Sequence, residues 1–313
     1  MQQFTSIKDV PQPEALIEQA LAFKANPLAA ADLGRHKTLA LVFFNPSLRT
    51  RLSTQKAAFN LGLSVMNYNA GQGWALEFED QVVMDGNKAE HIREAAAVIS
   101  QYANIIGLRS FPSLQDRKAD YADAILQKFI QYAQVPVISL ESAIRHPLQS
   151  LTDVMTIRSH KKVQRPKVVL SWAPHPKALP QAVANSFLEW VVQEDAEVVV
   201  THPEGYELAP EFMQGAQIEY DQAKAFAGAD FVYAKNWSSY THYGQILSQS
   251  PDWCIDASKM ALTNEAYFMH CLPVRRNVVV SDAVLDSPQS LVIEQANNRT
   301  FAAQAVLAQF LNQ

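Results

Sequence analysis

Ser47, Arg49, Thr50 and Arg51 stand together after an apolar, β-prone run, Thr38 to Phe44, and an Asn45-Pro46 break. Hydroxyls and guanidinium groups gathered at such a point suit one chemistry, the holding of an anion. Asn-Pro ends the strand, and Ser47 is placed to cap a helix that runs to Gly62. The first turn of a helix offers unpaired N–H groups and partial positive charge. Arginine meets phosphate with a planar, two-pronged fork while hydroxyls fill the remaining lone pairs, so the expected anion is a phosphate group. The same residues also fit an ordinary capped helix with solvated arginines. No Gly-x-x-x-x-Gly-Lys or Gly-x-Gly-x-x-Gly pattern accompanies them, so neither a P-loop nor a dinucleotide site is indicated.

Further polar residues recur just after apolar runs. Arg109 follows Ile105 to Leu108, and Glu141 and His146-Pro147-Leu148-Gln149 follow a run near 135 to 140. His175 follows Trp172-Ala173-Pro174, Lys235 follows Phe231 to Ala234, and His270-Cys271-Leu272-Pro273-Val274-Arg275-Arg276 follows Tyr267 to Met269. In open parallel sheets ligands bind beyond the carboxyl ends of the strands, which is where these residues fall. A His or Arg at a strand end is more often a solvated loop residue or a cap than a catalyst; together they repeat cationic or donor groups at strand ends in a chain of negative net charge. Pro147 at a first helical position makes His146 an N-cap-like residue, whose imidazole the helix terminus would keep neutral and able to donate to a carbonyl oxygen. Gln149 would face the same crevice. Cys271 has no evident partner base, which argues against nucleophilic catalysis.

Alternating strands and helices must position these groups. After an amphipathic helix from about Pro13 to Asn26, the pattern predicts strands near 39 to 44, 64 to 68, 104 to 108 and 135 to 140, with helices near 48 to 61, 88 to 102 and 120 to 133. The helix at 88 opens with a capping box, Asn87-Lys88-Ala89-Glu90. An irregular stretch from Asn69 to Gly86 holds Gly71, Gly73 and Trp74, and is either a surface excursion or a lid reaching a site or a neighbouring subunit. A second series has strands near 167 to 172, 197 to 201, 230 to 234, 253 to 255, 267 to 270 and 291 to 293, followed by a helix from about Gln295 to Leu311. The expected architecture is α/β, two doubly wound parallel-sheet domains: residues 1–150, residues 151–294, and a C-terminal helix at 295–313 that packs back on the first.

With 313 residues, 48% apolar and 18% charged, the chain has room for two cores of ordinary soluble composition. A net charge of -5 argues against a nucleic-acid or membrane-surface partner. Two distant cysteines, Cys254 and Cys271, and no signal-like or transmembrane run point to a reducing cytoplasm. Neither cysteine belongs to a Cys-x-x-Cys pair and no His-x-x-x-His spacing occurs, so no metal site is expected.

Ser47-Leu48-Arg49-Thr50-Arg51, Arg109, His146-Pro147-Leu148-Gln149 and His270-Cys271-Leu272-Pro273, in that order and spacing, resemble the carbamoyl-phosphate signatures of the transcarbamylases. The resemblance covers nearly the whole chain. The Ser-Met-Gly loop that ornithine transcarbamylases use is replaced by Lys235-Asn236-Trp237-Ser238-Ser239-Tyr240. The segment Trp172 to Pro180 and Val274-Arg275-Arg276 look instead like the N-acylornithine branch. This resemblance implies carbamoyl transfer to an N-acylornithine without metal or redox cofactor, a carbamoyl-phosphate domain followed by an amino-acid domain, and a knot in the second. It implies a homotrimer in which Trp74 enters the neighbouring phosphate site. Ser47, Leu48, Arg49, Thr50, Arg109, Arg299 and Trp74 would hold phosphate, and Thr50, Arg109 and His146 would stabilise the oxyanion. Gln149 and the backbone carbonyls of Cys271 and Leu272 would orient the carbamoyl NH2, alongside Pro147 and Leu148. Ala89, Glu141, His175, Lys235 and Arg275 would meet the acylornithine. Acetylornithine enzymes resemble this chain but carry Glu where Ala89 stands, and a Glu there would repel a second carboxylate. Succinylornithine is therefore expected. Acetylornithine, free ornithine and a non-catalytic carbamoyl-phosphate-binding protein are the alternatives.

Overall fold

In the computed structural model, which describes residues 1–70 and 74–312, the chain forms two compact α/β units. The first takes in Met1–Pro112, Lys118–Leu148 and Arg299–Gln313; the second takes in Ser113–Arg117 and Gln149–Asn298. Gly71 and Gly73 lie outside the described residues.

Twelve strands are formed by the described residues. They are β1 (Gln3–Phe4), β2 (Thr38–Phe43), β3 (Ser64–Asn69), β4 (Leu76–Glu77), β5 (Glu90–His91), β6 (Ile105–Arg109) and β7 (Val137–Glu141) in the first unit, then β8 (Lys167–Trp172), β9 (Glu197–Thr201), β10 (Gln217–Glu219), β11 (Phe231–Lys235) and β12 (Tyr267–Met269) in the second. The first unit's main sheet is wholly parallel, in the order β1-β7-β6-β2-β3. Strand β2 is a continuous apolar run, Thr-Leu-Ala-Leu-Val-Phe, because helices cover both faces of such a sheet. The helix Leu48–Asn60 returns the chain from β2 to β3, and Gly62 stops it. With φ +78°, Gly62 N–H donates to Phe59 O and Leu63 N–H to Ala58 O, a Schellman ending that needs glycine because a Cβ would lie 2.3 Å from Ala31 O.

The second unit's sheet is also wholly parallel, in the order β10-β9-β8-β11-β12. Its core buries Trp172, Trp190, Trp237, Tyr206 and Tyr233, and two indoles also act as pins. Trp172 Nε1 donates to Trp237 O at 3.1 Å, and Trp237 Nε1 donates to Tyr206 O at 2.8 Å. The loops leaving β8 and β11 are thereby held at their roots.

Several expected elements differ. The helix expected from 88 starts at Ile92, and the capping box does not form. Residues Glu90–His91 are extended as β5, paired with Leu76–Glu77, while the Glu90 carboxylate accepts from Trp74 Nε1 at 2.8 Å; His91 caps instead, accepting from Arg93 N–H. The helix expected over 120 to 133 breaks into Arg117–Tyr121 and Ala124–Tyr132 at Asp123, a buried residue with φ +50° whose carboxylate accepts from Ala143 N–H. Residues 253–255 form no strand: Pro251–Trp253 is a 3-10 turn, with Ile255 bridging Val280 alone. Residues 292–293 are the first turn of the last helix, Val292–Leu311. The edge strands β1 and β10 were not foreseen, being two and three residues long.

Candidate functional site

Each five-stranded sheet reverses its order, beside β2 in the first unit and beside β8 in the second, and ligands in such sheets bind at the carboxyl end of that switch point. In the first unit β2 leads to β3 on one side and has β6 on the other, so the crevice lies at the ends of β2 and β6. The Asn45-Pro46-Ser47 turn follows β2, and Arg109 ends β6.

Ser47 is an N-cap, extended at φ -152°, whose hydroxyl accepts from Thr50 N–H at 3.3 Å. Leu48 is 68% exposed. Arg49 is half-buried in the first turn, and Thr50 is buried beside it. Arg51 points elsewhere: its Nη2 donates to Asn69 Oδ1 at 2.5 Å and its guanidinium lies over the Phe43 ring. Arg109 is buried and clamps the turn. Its Nη1 donates to Asn45 O and Pro46 O, both at 2.9 Å, and its Nε and Nη2 donate to Glu141 Oε2 at 3.2 and 3.0 Å. Glu141, expected with the acylornithine, thus ends β7 as the buried partner of Arg109, 3.7 Å from His146 Nε2.

Arg299 comes from the last helix. Its Nη2 donates to Thr50 Oγ1 at 2.6 Å and lies 3.4 Å from His146 Nε2, so Thr50, His146 and Arg299 converge, all but fully buried. His146 immediately precedes Pro147, which begins the helix Pro147–His160, with Leu148 buried in its first turn. Trp74, half exposed, borders an apolar recess of about 280 Å³ with Tyr68 and Val98, and Tyr68 Oη donates to Trp74 O. Ala89 is exposed, and its N–H donates to Ala75 O at 2.9 Å.

In the second unit the crevice lies at the ends of β8 and β11. His175 follows β8, Lys235 ends β11, and Arg275 follows β12. Arg275 Nε donates to His175 Nε2 at 3.1 Å, and His175 Nδ1 lies 2.9 Å from Lys177 O and 3.1 Å from Lys177 N. Burial pushes the His175 pKa down, and the positive charges of Arg275, Lys235 and Lys177 push the same way. Three cations or donors therefore share one corner, a field suited to carboxylates. The two loops are cross-tied: Gln181 Nε2 donates to Ser238 O at 2.6 Å, Asn236 Nδ2 to Ala173 O at 3.1 Å, and Ser238 N–H to Leu179 O.

Gln149 is buried in this unit, and its Nε2 donates to Asp153 Oδ1 at 2.7 Å. Gln295 Nε2 donates to the same oxygen at 2.7 Å, and Gln295 Oε1 accepts from His270 N–H. Leu272, at φ +55°, has its N–H bonded to His270 Nδ1. A left-handed leucine costs on the order of 1 kcal/mol, so the Cys271-Leu272 carbonyls are held by their surroundings rather than by local preference. Asp153, Gln295 and the Gln181–Ser238 and Asn236–Ala173 ties escaped the sequence reading. Only Asp153 carried a signal, four residues after Gln149 on one helix. Among the described residues no group of three or more His, Cys, Asp or Glu could hold a metal ion.

Comparison with known proteins decides the family. Residues 2–159 match the model for the aspartate/ornithine carbamoyltransferase carbamoyl-P binding domain, and residues 180–310 match that for the Asp/Orn binding domain. The chain belongs to the aspartate/ornithine carbamoyltransferase family. It is a carbamoyltransferase. The enzyme is 54% identical to the N-succinylornithine carbamoyltransferase of Bacteroides thetaiotaomicron over 314 residues, 99% of each chain. It is 39% identical to the N-acetylornithine carbamoyltransferase of Xanthomonas axonopodis pv. citri, over 96% of this chain and 93% of that one. Among solved structures, an N-acetyl-L-ornithine transcarbamylase with one glutamate replaced by alanine, complexed with carbamyl phosphate and N-succinyl-L-norvaline, superposes with a TM-score of 0.94 at 37% identity, covering 99% of this chain and all of that one.

Proposed function

We propose that the enzyme transfers the carbamoyl group of carbamoyl phosphate to the δ-amine of N2-succinyl-L-ornithine, giving N2-succinyl-L-citrulline and phosphate, as a step of arginine biosynthesis. The observation that carries the choice of acyl group is the full-length, 54% identity to an N-succinylornithine carbamoyltransferase. Ala89 supplies a physical reason. A glutamate at this exposed position would set a carboxylate against the succinyl terminus, whereas a methyl group leaves it room. The related acetylornithine enzyme that holds N-succinyl-L-norvaline does so with a single glutamate cut back to alanine.

In this proposal the first unit holds carbamoyl phosphate and the second holds the acylornithine. Ser47, the main chain of Leu48, Arg49, Thr50, Arg109 and Arg299 bind phosphate, supported by the helix start that Ser47 caps. Thr50, Arg109 and His146 stabilise the oxyanion that forms when the amine nitrogen bonds to the carbonyl carbon. Gln149 and the carbonyls of Cys271 and Leu272 orient the NH2, with Pro147 and Leu148 fixing the helix start. The carbon–oxygen bond to phosphate then breaks. The δ-amine, with a solution pKa of about 10.4 as for lysine, must shed its ammonium proton to solvent before it attacks, and the excess proton its nitrogen carries after attack passes to the departing phosphate. Lys235, Arg275 and His175 meet the substrate's carboxylates and amide, and Glu141 acts through its pairing with Arg109.

A homotrimer in a reducing cytoplasm is the proposed working state. Supporting it, Leu48, Leu52 and Phe59 on one helix, Met66 on the edge strand β3, and Trp74 are each more than half exposed, an apolar face suited to a second copy that would receive Trp74. A crossing of the tied loops after β8 and β11 is the proposed chain path of the second unit.

The test is ureido-product formation from carbamoyl phosphate with N-succinylornithine, N-acetylornithine and ornithine at equal concentration. Turnover of the succinyl compound alone is expected. Turnover of the acetyl compound or of ornithine instead overturns the acyl assignment and leaves the family intact, and Ala89→Glu should move preference toward the acetyl substrate.

A further inference from the structure

Gln149 carries an ambiguity common to every amide side chain: its oxygen and its NH2 are nearly the same size and have opposite hydrogen-bonding character. To orient a carbamoyl NH2 it must present the oxygen. The neighbouring side chains decide which end faces inward. Asp153 is wholly buried, and its Oδ1 accepts N–H bonds from Gln149 Nε2 and Gln295 Nε2, each at 2.7 Å. An oxygen that accepts two such bonds has no proton of its own to offer, so it can face only the nitrogen end of Gln149. The opposite end, Oε1, is buried and accepts from none of the described residues. Through Gln295, whose Oε1 takes the His270 N–H, the same carboxylate is linked to the strand end that leads to Cys271 and Leu272.

We infer that Asp153 is a positioning residue that fixes Gln149 with its oxygen as an acceptor, and so makes the enzyme select an NH2-bearing acyl phosphate. The inference rests on the proposed placing of Gln149 at the carbamoyl group. Acetyl phosphate, in which a methyl group replaces NH2, measures the selection: a methyl group offers nothing to an acceptor and leaves it unpaired. Asp153→Asn has nearly the same shape but lets either end of Gln149 face inward, since asparagine can donate or accept.

The experiment is calorimetric titration of the full-length enzyme with carbamoyl phosphate, acetyl phosphate and inorganic phosphate. Wild type should prefer carbamoyl to acetyl phosphate; a wild type that binds both without that preference overturns the inference, whereas one that binds neither acyl phosphate overturns the proposed function. Asp153→Asn should weaken carbamoyl phosphate about tenfold, as for loss of one hydrogen bond. Its affinity for inorganic phosphate should stay within about twofold, so the preference collapses. A purely structural role would instead weaken all three ligands together. The reversed pair, Gln149→Glu with Asp153→Asn, is a further test that holds even if the single variant misfolds. There the asparagine NH2 donates to the glutamate, whose other oxygen again faces inward as an acceptor, and the preference for carbamoyl phosphate should return. Wild-type preference in Asp153→Asn, or no preference in the reversed pair, overturns the inference.

Discussion

The two switch points are built alike in topology and differently in burial. In the first unit Thr50, Arg109, His146 and Arg299 are nearly sealed from solvent and bonded to one another or to the Asn45-Pro46 turn. In the second, Lys235 and His175 are half-buried and Arg275 is exposed. The difference matches the ligands proposed for them. A phosphate is compact and rigid, and donors fixed in advance hold it without reorganising. An acylated amino acid is long and flexible, and a field of cations on pinned loops accommodates its carboxylates at either end. Rigidity in the second unit is placed one layer back, in the Trp172–Trp237–Tyr206 chain and the Gln181–Ser238 tie.

The sharpest way to break this contrast is to remove a buried member of the first cluster. Arg109→Met leaves Glu141 buried and without its guanidinium, and should cost about 3–5 kcal/mol of unfolding free energy together with the activity. Adding Glu141→Gln should return most of the stability and none of the turnover. Denaturant unfolding and a turnover assay read both. The corresponding change in the second unit, Lys235→Ala, should raise KM for N-succinylornithine about ten- to hundredfold, as expected for a charged hydrogen bond of about 1.5–3 kcal/mol. Its stability should move by no more than about 0.5 kcal/mol. An equal loss of stability in both variants would erase the distinction.

A smaller effect comes from His202, at the end of β9. Burial holds its imidazole pKa below the ordinary value, against weaker upward pulls from the Pro203 carbonyl and Glu207. The unfolded chain takes up the proton near the usual value of about 6.5. The stability contributed by the neutral ring is therefore whole above that pH and is lost as pH falls through it. His202→Gln should make stability less dependent on pH between about 7 and 5, as thermal unfolding would record; an unchanged slope would locate the acid sensitivity elsewhere.

Much of the fold was legible because parallel strands buried on both faces read as apolar runs; the expected strand 167 to 172 coincides with β8, and 197 to 201 with β9. Ser47 announced its cap by residue type and position. The failures have a common cause. Asn87 to Glu90 has the composition of a capping box, but the pairing of β5 with β4 and the demand of Trp74 for an acceptor keep Glu90 extended, and neither is local. Val292 and Ile293 read as a strand because a short β-branched run does not distinguish a strand from a helix start. At the site, the residues that would touch ligand stood out as charges after apolar runs. The residues that orient them, Asp153 and Gln295, are separated by 142 positions and meet only in the folded chain.

The division of labour between the units is tested most directly by titrating carbamoyl phosphate into two variants, Arg49→Ala and Lys235→Ala, with wild type alongside. Arg49→Ala should fold normally and lose carbamoyl phosphate binding, while Lys235→Ala should bind it with wild-type affinity. Unchanged affinity in Arg49→Ala, or its loss in Lys235→Ala, would contradict the assignment of phosphate to the first unit and of the acylated amino acid to the second.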